Sequence, residues 1–216
     1  MTATYPGKLI VIEGADGSGR TTQVNLLTQW LEREGYYVEN TRLKQSKLVA
    51  DELSSAQQGT VLGRTTMSLF YATDFADQLE NRILPALRSG AVVVCDRYIY
   101  TLMARDIVRG ADREWLHHLY DFALIPNLII YLKVDADLLL ARNFKNQSVL
   151  NYWESGMDIG LSADRYDSFM EYQNQINQAF LSLENQYNLT VVNANLDADS
   201  LFHSLKQLVE RTLNNE

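Results

Sequence analysis

Short apolar runs alternate along the chain with longer segments in which apolar residues recur every three or four positions. Residues 8–13 are apolar and rich in β-branched side chains, which predicts a buried strand. Residues 23–34 carry Val24, Leu27 and Leu31 at helical spacing, which predicts a helix. By the same criteria further strands are predicted at 36–43, 91–95, 127–134 and 189–193, and further helices at 46–53, 65–88, 99–109, 112–123, 136–145, 164–187 and 197–213.

This order of elements restricts the fold class. Strands that alternate with helices favour a mostly parallel sheet, here of five strands, with helices on both faces. The chain of 216 residues suits one α/β domain, and no linker or repeat divides it. We therefore predict a three-layer α/β/α sandwich over residues 1–216, with a lid or insertion at about 143–165. The polar stretch 147–162 within it holds Tyr152 and Trp153, which either close over a ligand or pack on the body.

A glycine-rich segment joins the first strand to the first helix. Residues 14–22 read Gly-Ala-Asp-Gly-Ser-Gly-Arg-Thr-Thr and follow the phosphate-loop pattern G-x-x-x-x-G-K-[ST] except at one position. Glycines let backbone N–H groups approach phosphate oxygens, and the helix start adds a positive dipole end. We therefore predict a P-loop NTPase fold and an ATP site, the alternative being a plain strand-to-helix turn. The predicted ATP-binding residues of the loop are Gly14, Asp16, Gly17, Ser18, Gly19, Arg20, Thr21 and Thr22.

The exception to the pattern is Arg20, which stands where the pattern has lysine. Arginine keeps the positive charge but presents it as a wide planar fork instead of a compact ammonium. We expect Arg20 to hold a nucleotide and to position the transferred phosphoryl group less well than lysine does.

Asp96 and Arg97 directly follow the apolar strand 91–95. Ligands in parallel sheets bind beyond the carboxyl ends of the strands, so both side chains are candidates for the site. A carboxylate here can reach Mg²⁺ beside a phosphate loop, and Thr21 is the second predicted metal ligand. Arg97 can hold a further phosphate, the alternative being a structural Asp–Arg pair.

Other polar residues give weaker signals. Arg42, Lys44 and Lys47 follow the second strand, either as part of the site or as a solvated basic turn. His117 and His118 are adjacent and have no ligand at metal-binding spacing, so we do not expect them to bind a metal.

Composition excludes some classes of function. The formal net charge of −8 argues against general nucleic-acid binding. No apolar run approaches the length of a membrane span, and no signal peptide is recognisable. The single cysteine, Cys95, cannot form an internal disulfide, which suits a reducing compartment. We expect a cytoplasmic protein that binds small molecules.

From about Lys8 to its C-terminus the chain resembles the thymidylate kinase family of P-loop nucleoside monophosphate kinases. The resemblance rests on the segments 12–19, 69–72, 83–87, 95–98 and 164–166. It implies the reaction ATP + dTMP → ADP + dTDP with Mg²⁺, and it implies a homodimer.

The resemblance also implies roles at the acceptor nucleotide. Asp16 would organise its sugar and the metal, Phe70 would stack on its base, and Arg97 would hold its phosphate beside Asp96 and Tyr98. Arg42 lies near a family arginine that follows the second strand. Arg142 and Arg165 match arginines of the lid that close over ATP. The predicted catalytic residues are Arg20, Asp16, Asp96, Arg97 and Arg165.

The chain departs from the family at three places. Besides Arg20, Phe75 stands where the family has an arginine that helps to hold the acceptor, and residues 101–106 lack the polar residues that read the pyrimidine. We expect Arg105, farther along the following helix, to replace the missing arginine in acceptor binding. Two alternatives remain open, namely a nucleotide-binding module with weak or no kinase activity and a kinase of another acceptor such as a deoxynucleoside.

Overall fold

The computed structural model describes residues 5–59, 62–146 and 150–214. Its centre is a sheet of five parallel strands in the order β2-β3-β1-β4-β5. The strands are β1 (Lys8–Gly14), β2 (Val38–Arg42), β3 (Val92–Asp96), β4 (Leu128–Lys133) and β5 (Thr190–Asn193). The predicted α/β fold with a five-stranded parallel sheet is thereby confirmed.

The helices cover both faces of the sheet. They are α1 (Arg20–Arg33), α2 (Ala50–Gly59), α3 (Arg64–Gln78), α4 (Leu84–Arg88), α5 (Ile99–Val108), α6 (Arg113–Leu119), α7 (Ala136–Asn146), α8 (Arg165–Tyr187) and α9 (Ala198–Asn214). Among the described residues, no helix has the length and apolar character that crossing a membrane requires.

The alternation of side chains along the strands explains the two hydrophobic cores. In β1, Leu9 and Val11 belong to one core, whereas Ile10 and Ile12 belong to the other. Successive strand residues point to opposite faces, so a strand that is apolar throughout is stable only when both faces are covered. The first core is filled from α2–α6 and most of α8, and the second from α1, α7, α9 and Phe169 of α8.

The predicted helix 65–88 is interrupted in the structure. A π-helical turn, Leu79–Ile83, separates α3 from α4. Pro85 lies at the start of α4 and has no N–H to donate to the preceding turn. The wider π turn accommodates the lack of this hydrogen bond, so that α3 continues through the π turn into α4 without a loop.

The prediction for residues 46–63 was wrong in its details. The helix predicted at 46–53 begins only at Ala50, and it extends beyond the predicted end to Gly59. The buried Asp74 explains the late start, because its carboxylate accepts the backbone N–H of Lys44 at 2.7 Å and that of Ser46 at 2.9 Å. These bonds hold residues 44–46 in a turn that faces α3.

Candidate active site

The phosphate loop occupies the edge of the sheet where β1 ends. Gly19 has φ 92°, a left-handed conformation that glycine adopts without strain, and it precedes α1 without a side-chain cap. A Cβ at Gly14 would lie 2.7 Å from Ser18 Oγ, so only glycine fits there. The loop lines a cavity of about 490 Å³ with Arg142 and the start of α9 on its far side. The N–H groups at the start of α1 therefore face a space in which phosphate groups fit.

The guanidinium of Arg20 is buried beneath this loop. Its Nε donates to Asp96 Oδ1 at 2.8 Å, and its Nη1 donates to the carbonyl oxygens of Gly14 and Ala15. One planar group at the end of the loop thus binds the start of the loop and β3 at the same time, which a single ammonium could not do. Arg20 supports the loop from below, in addition to placing a positive charge beside the phosphate cavity.

Thr21 and Asp96 meet at the mouth of the loop. Thr21 Oγ1 donates to Asp96 Oδ2 at 2.8 Å, because parallel pairing of β1 with β3 aligns Ile12 with Asp96. In the part of the chain that the structure describes, no group of three or more His, Cys, Asp and Glu residues could hold a metal. A hydroxyl and one carboxylate suit Mg²⁺, which takes most of its ligands from phosphate oxygens and water. The residues present therefore fit a metal–nucleotide complex.

A second cavity, of about 200 Å³, adjoins the loop on the side away from α9. Asp16 lines both cavities and lies between two arginines. Arg97 Nη2 donates to its Oδ1, and Arg105 Nη2 donates to its Oδ2 at 3.1 Å. Burial alone would raise the pKa of Asp16, but the charges of Arg97, Arg105 and Arg20 outweigh burial and hold the pKa well below its usual range. Asp16 is thus a permanent anion that orients two cations at the junction.

The backbone around Arg97 is fixed by the buried Glu13. Arg97 has φ 76°, a conformation that is strained for a residue with a side chain, and its N–H donates to Ile12 O at 3.0 Å. Glu13 accepts the N–H groups of Tyr98 at 3.0 Å and Thr101 at 3.1 Å, and it also accepts the Thr101 hydroxyl. Burial raises the pKa of Glu13 to about 7 despite these bonds. The result is a rigid turn that projects Arg97 into the second cavity.

Apolar side chains also line the second cavity. They include Leu43, Leu62, Met67 and Leu102. One cavity therefore combines arginine side chains beside the phosphate loop with apolar side chains. This combination suits a molecule with an anionic group at one end and a flat ring at the other.

Comparison with known proteins agrees with this geometry. The family model "Thymidylate kinase" matches residues 12–202. The chain belongs to the thymidylate kinase family. It is 41% identical over 171 residues to "Probable thymidylate kinase 2" of Saccharolobus solfataricus, covering 79% of each chain. It is 32% identical to "Probable thymidylate kinase" of Pyrococcus horikoshii, covering 96% of this chain and 98% of that protein. "Thymidylate kinase" of Shouchella clausii is 34% identical over 143 residues, 63% of this chain and 67% of that protein.

Membership of the thymidylate kinase family makes the placement of the aromatic residues informative. Phe70, predicted to stack on the acceptor base, does not line the second cavity, whereas its neighbour Tyr71 does. Tyr98, predicted beside the acceptor, is buried, and its hydroxyl donates to Leu124 O at 3.1 Å. Phe75 stands where the family has arginine, and its ring packs edge-on against Tyr98 at 4.7 Å. Of these four aromatic residues, the structure brings only Tyr71 to the cavity.

The remaining predicted arginines divide into two groups. Arg105 lines the second cavity, and Arg142 lines the phosphate cavity, where its Nη1 donates to Gly17 O at 3.3 Å. Arg42 and Arg165 are exposed and line neither cavity. Arg165 Nη1 donates to Leu150 O at 3.3 Å, which places it beside the segment 150–162.

Several residues that line or support the second cavity were not singled out from the sequence. Glu154, Asp158 and Tyr172 line it, and Asp74 holds the turn that carries Lys44. Burial and the nearby charge of Asp16 raise the pKa of Glu154 to about 7. Glu154 and Asp158 belong to the polar stretch 147–162, which has no periodicity from which a side-chain direction could be read.

Proposed function

We propose that this protein transfers the γ-phosphoryl group of ATP to a nucleoside monophosphate, and that dTMP is the acceptor. The observation that carries the proposal is the junction of two cavities at Ala15 and Asp16. The phosphate loop lines one cavity, and Arg97 and Arg105 line the other close to that junction. A triphosphate in the first and a monophosphate in the second would meet there.

To catalyse this transfer, the protein must position the two substrates and neutralise their negative charge. An oxygen of the acceptor phosphate forms a bond to the γ-phosphorus, while the bond from that phosphorus to the β–γ bridging oxygen breaks and ADP leaves. Two anions must approach each other, so neutralising charges are the main catalytic contribution. Arg97 and Arg105 bind the acceptor phosphate, and Arg20 contributes charge from below the loop. A bound Mg²⁺ would supply further charge neutralisation at Thr21 and Asp96.

Two features support dTMP among possible acceptors. The relatives named above are called thymidylate kinases, and the apolar lining around Met67 and Tyr71 suits a methylated pyrimidine.

The proposal is tested by incubating the protein with ATP and Mg²⁺ and each of dTMP, dUMP, dCMP, dAMP, dGMP and free thymidine, and by following ADP release. We expect dTMP to have the highest kcat/KM. Turnover of free thymidine with none of any monophosphate would contradict the proposal and support a nucleoside kinase.

One observation favours a second candidate, a nucleotide-binding module with little turnover. The guanidinium of Arg20 is already engaged by Asp96 and by the loop carbonyls, which restrains it from following the transferred group. Tight ATP binding by calorimetry, together with no ADP release for any acceptor, would favour this candidate.

Replacing Arg105 by alanine is expected to raise the KM for dTMP about tenfold or more while the KM for ATP stays within about twofold. The reason is that Arg105 lies at the acceptor cavity and is absent from the lining of the phosphate cavity, and a charged hydrogen bond contributes about 1.5–3 kcal/mol. Steady-state kinetics with each substrate varied in turn measures both constants. An unchanged KM for dTMP would show that Arg105 does not replace the missing family arginine.

The homodimer that the resemblance implies and the cytoplasmic location that the composition suits stay predictions. Analytical ultracentrifugation of the purified protein tests the first of them.

A further inference from the structure

Arg109 lies directly after α5 and contacts several of the elements that surround the second cavity. Four of the elements that line this cavity are α3, α5, α8 and the segment 150–162. Arg109 is hydrogen-bonded to one cavity-lining residue of each of them, namely Arg64, Arg105, Tyr172 and Asp158. Arg109 is therefore a point at which the walls of the cavity are connected.

The contact of Arg109 with Asp158 is a bidentate ion pair. Nε of Arg109 donates to Asp158 Oδ2 at 2.8 Å, and Nη2 donates to Asp158 Oδ1 at 3.0 Å. The two side chains are 12% and 10% exposed, so solvent and salt screen the pair weakly. Two parallel hydrogen bonds fix the orientation of the groups as well as their distance. The pair is an ordered connection between the end of α5 and the segment 150–162.

The rest of the guanidinium is also engaged by the protein. Nη1 donates to the hydroxyl of Tyr172 at 2.8 Å and to Arg105 O at 3.2 Å, and Nη2 donates also to Trp153 O at 3.4 Å. The central carbon of the guanidinium lies 5.2 Å from the centre of the Tyr172 ring, a cation–π distance. All three nitrogens of Arg109 thus donate to protein groups, which indicates a connecting role and not a contact with the substrate phosphate.

The segment 150–162 has little regular structure that could fix its own position. Its regular secondary structure is one 3₁₀ turn, Met157–Ile159, between two glycines with left-handed backbone angles. Such a short turn is not stable by itself. On the side of α8, Gln173 Nε2 donates to Glu154 O at 2.8 Å. Arg109 supplies the hydrogen bonds on the side of α5.

We propose that Arg109 is a positioning residue for the acceptor nucleotide, and that its pair with Asp158 holds the segment 150–162 as a preformed wall of the acceptor cavity. This inference rests on the proposed function. A wall that is already in place spares the acceptor the entropic cost of ordering the segment when it binds. Neither Arg109 nor the segment lines the phosphate cavity, so the effect should fall on the acceptor and not on ATP.

The first test is hydrogen exchange of the protein without ligand, followed by mass spectrometry of peptides from 150–162. Arg109→Lys keeps the charge but cannot form a bidentate pair, and Asp158→Asn removes the charge of the partner. We expect exchange in this segment to become about tenfold faster or more in both variants and to stay unchanged in α1. The matched controls Arg88→Lys and Asp51→Asn change exposed residues outside both cavities and should exchange as the wild type. Wild-type exchange in Arg109→Lys and Asp158→Asn would overturn the proposal that this pair holds the segment.

The second test is steady-state kinetics of the same variants. Arg109→Lys and Asp158→Asn should each raise the KM for dTMP about tenfold or more, with the KM for ATP within about twofold of wild type. The combined variant should raise the KM for dTMP no further than the larger single effect, because both changes break the same pair. A protein that is merely less stable would lose active molecules, which lowers kcat and leaves the KM for dTMP unchanged.

An unchanged KM for dTMP in variants whose segment exchanges faster would overturn the positioning role and leave the proposed function intact. Additive effects of Arg109→Lys and Asp158→Asn would show that the two residues act separately, which also contradicts the proposal. If the wild-type protein bound no dTMP, the proposed function would be wrong and the role of Arg109 in acceptor binding would be wrong with it.

Discussion

Replacement of Arg97 by alanine is expected to lower kcat/KM for dTMP by about a thousandfold, with ATP affinity unchanged within about threefold. Arg97 lines the acceptor cavity close to the phosphate loop, and its backbone is held in a strained turn by Ile12 and Glu13. Removing one fixed donor from a developing charge costs about a hundredfold to a thousandfold, and arginines that stabilise phosphoryl transfer contribute more. Coupled measurement of ADP release, with calorimetry for ATP, gives both quantities.

The matched control for this prediction is Arg88→Ala, which removes an exposed arginine at the end of α4. It should behave as the wild type. If Arg97→Ala kept its kcat/KM for dTMP, another group would have to bind the acceptor phosphate. Arg97→Lys should recover only part of the loss. A planar guanidinium can contact Asp16 and a phosphate at the same time, whereas an ammonium is a single compact charge.

Replacement of Arg20 by methionine is expected to lower the catalytic efficiency strongly and to destabilise the fold. Asp96 would lose the guanidinium at 2.8 Å, and the carbonyls of Gly14 and Ala15 would lose their donor. Breaking a largely buried pair from one side costs about 3 kcal/mol of the free energy of unfolding. Loss of the charge beside the phosphates should lower kcat/KM for ATP by about a thousandfold. Urea unfolding and steady-state kinetics measure the two effects.

Arg20→Lys separates the structural contribution from the catalytic one. We expect it to lose about 1–2 kcal/mol of the free energy of unfolding, since one ammonium cannot contact both the loop and Asp96, and to keep kcat/KM within about tenfold. Arg33→Met, an exposed change on the same helix, is the control. A large gain in turnover for Arg20→Lys would show that arginine limits the reaction in this chain. Wild-type stability and activity in Arg20→Met would refute the supporting role of Arg20.

Much of the fold could be predicted because its signals are local. The strand at 91–95 is apolar throughout, the strand at 127–134 has an apolar run at 128–132, and the helices between strands have apolar residues at regular spacing. The phosphate loop is one contiguous pattern between a strand and a helix. Parallel pairing then brings Asp96 to the same edge, and the structure has Asp96 opposite Ile12 in register.

The details of the acceptor cavity could not be predicted in the same way. Phe70 and Tyr71 are neighbours on α3, and successive helix residues point about 100° apart, so the packing of α3 decides which ring reaches the cavity. Tyr98 follows Arg97 directly, yet its side chain enters the core because Glu13 fixes the start of α5. Residues 157–159 form one short 3₁₀ turn within the segment that carries Glu154, and periodicity predicts nothing there.

By itself, the sequence determined the parallel α/β sandwich, the phosphate loop and the acid at the end of β3, because backbone preference and hydrophobic spacing act between residues close in the chain. Only the tertiary structure decided that Arg20 supports the loop, that Asp16 is held between Arg97 and Arg105, and that Glu154 lines the same cavity as they do. Apart from the bonds of Arg20 to other residues of the phosphate loop, the hydrogen bonds among these residues join positions 76 to 89 apart in the chain. Their geometry depends on how distant parts of the chain pack against one sheet.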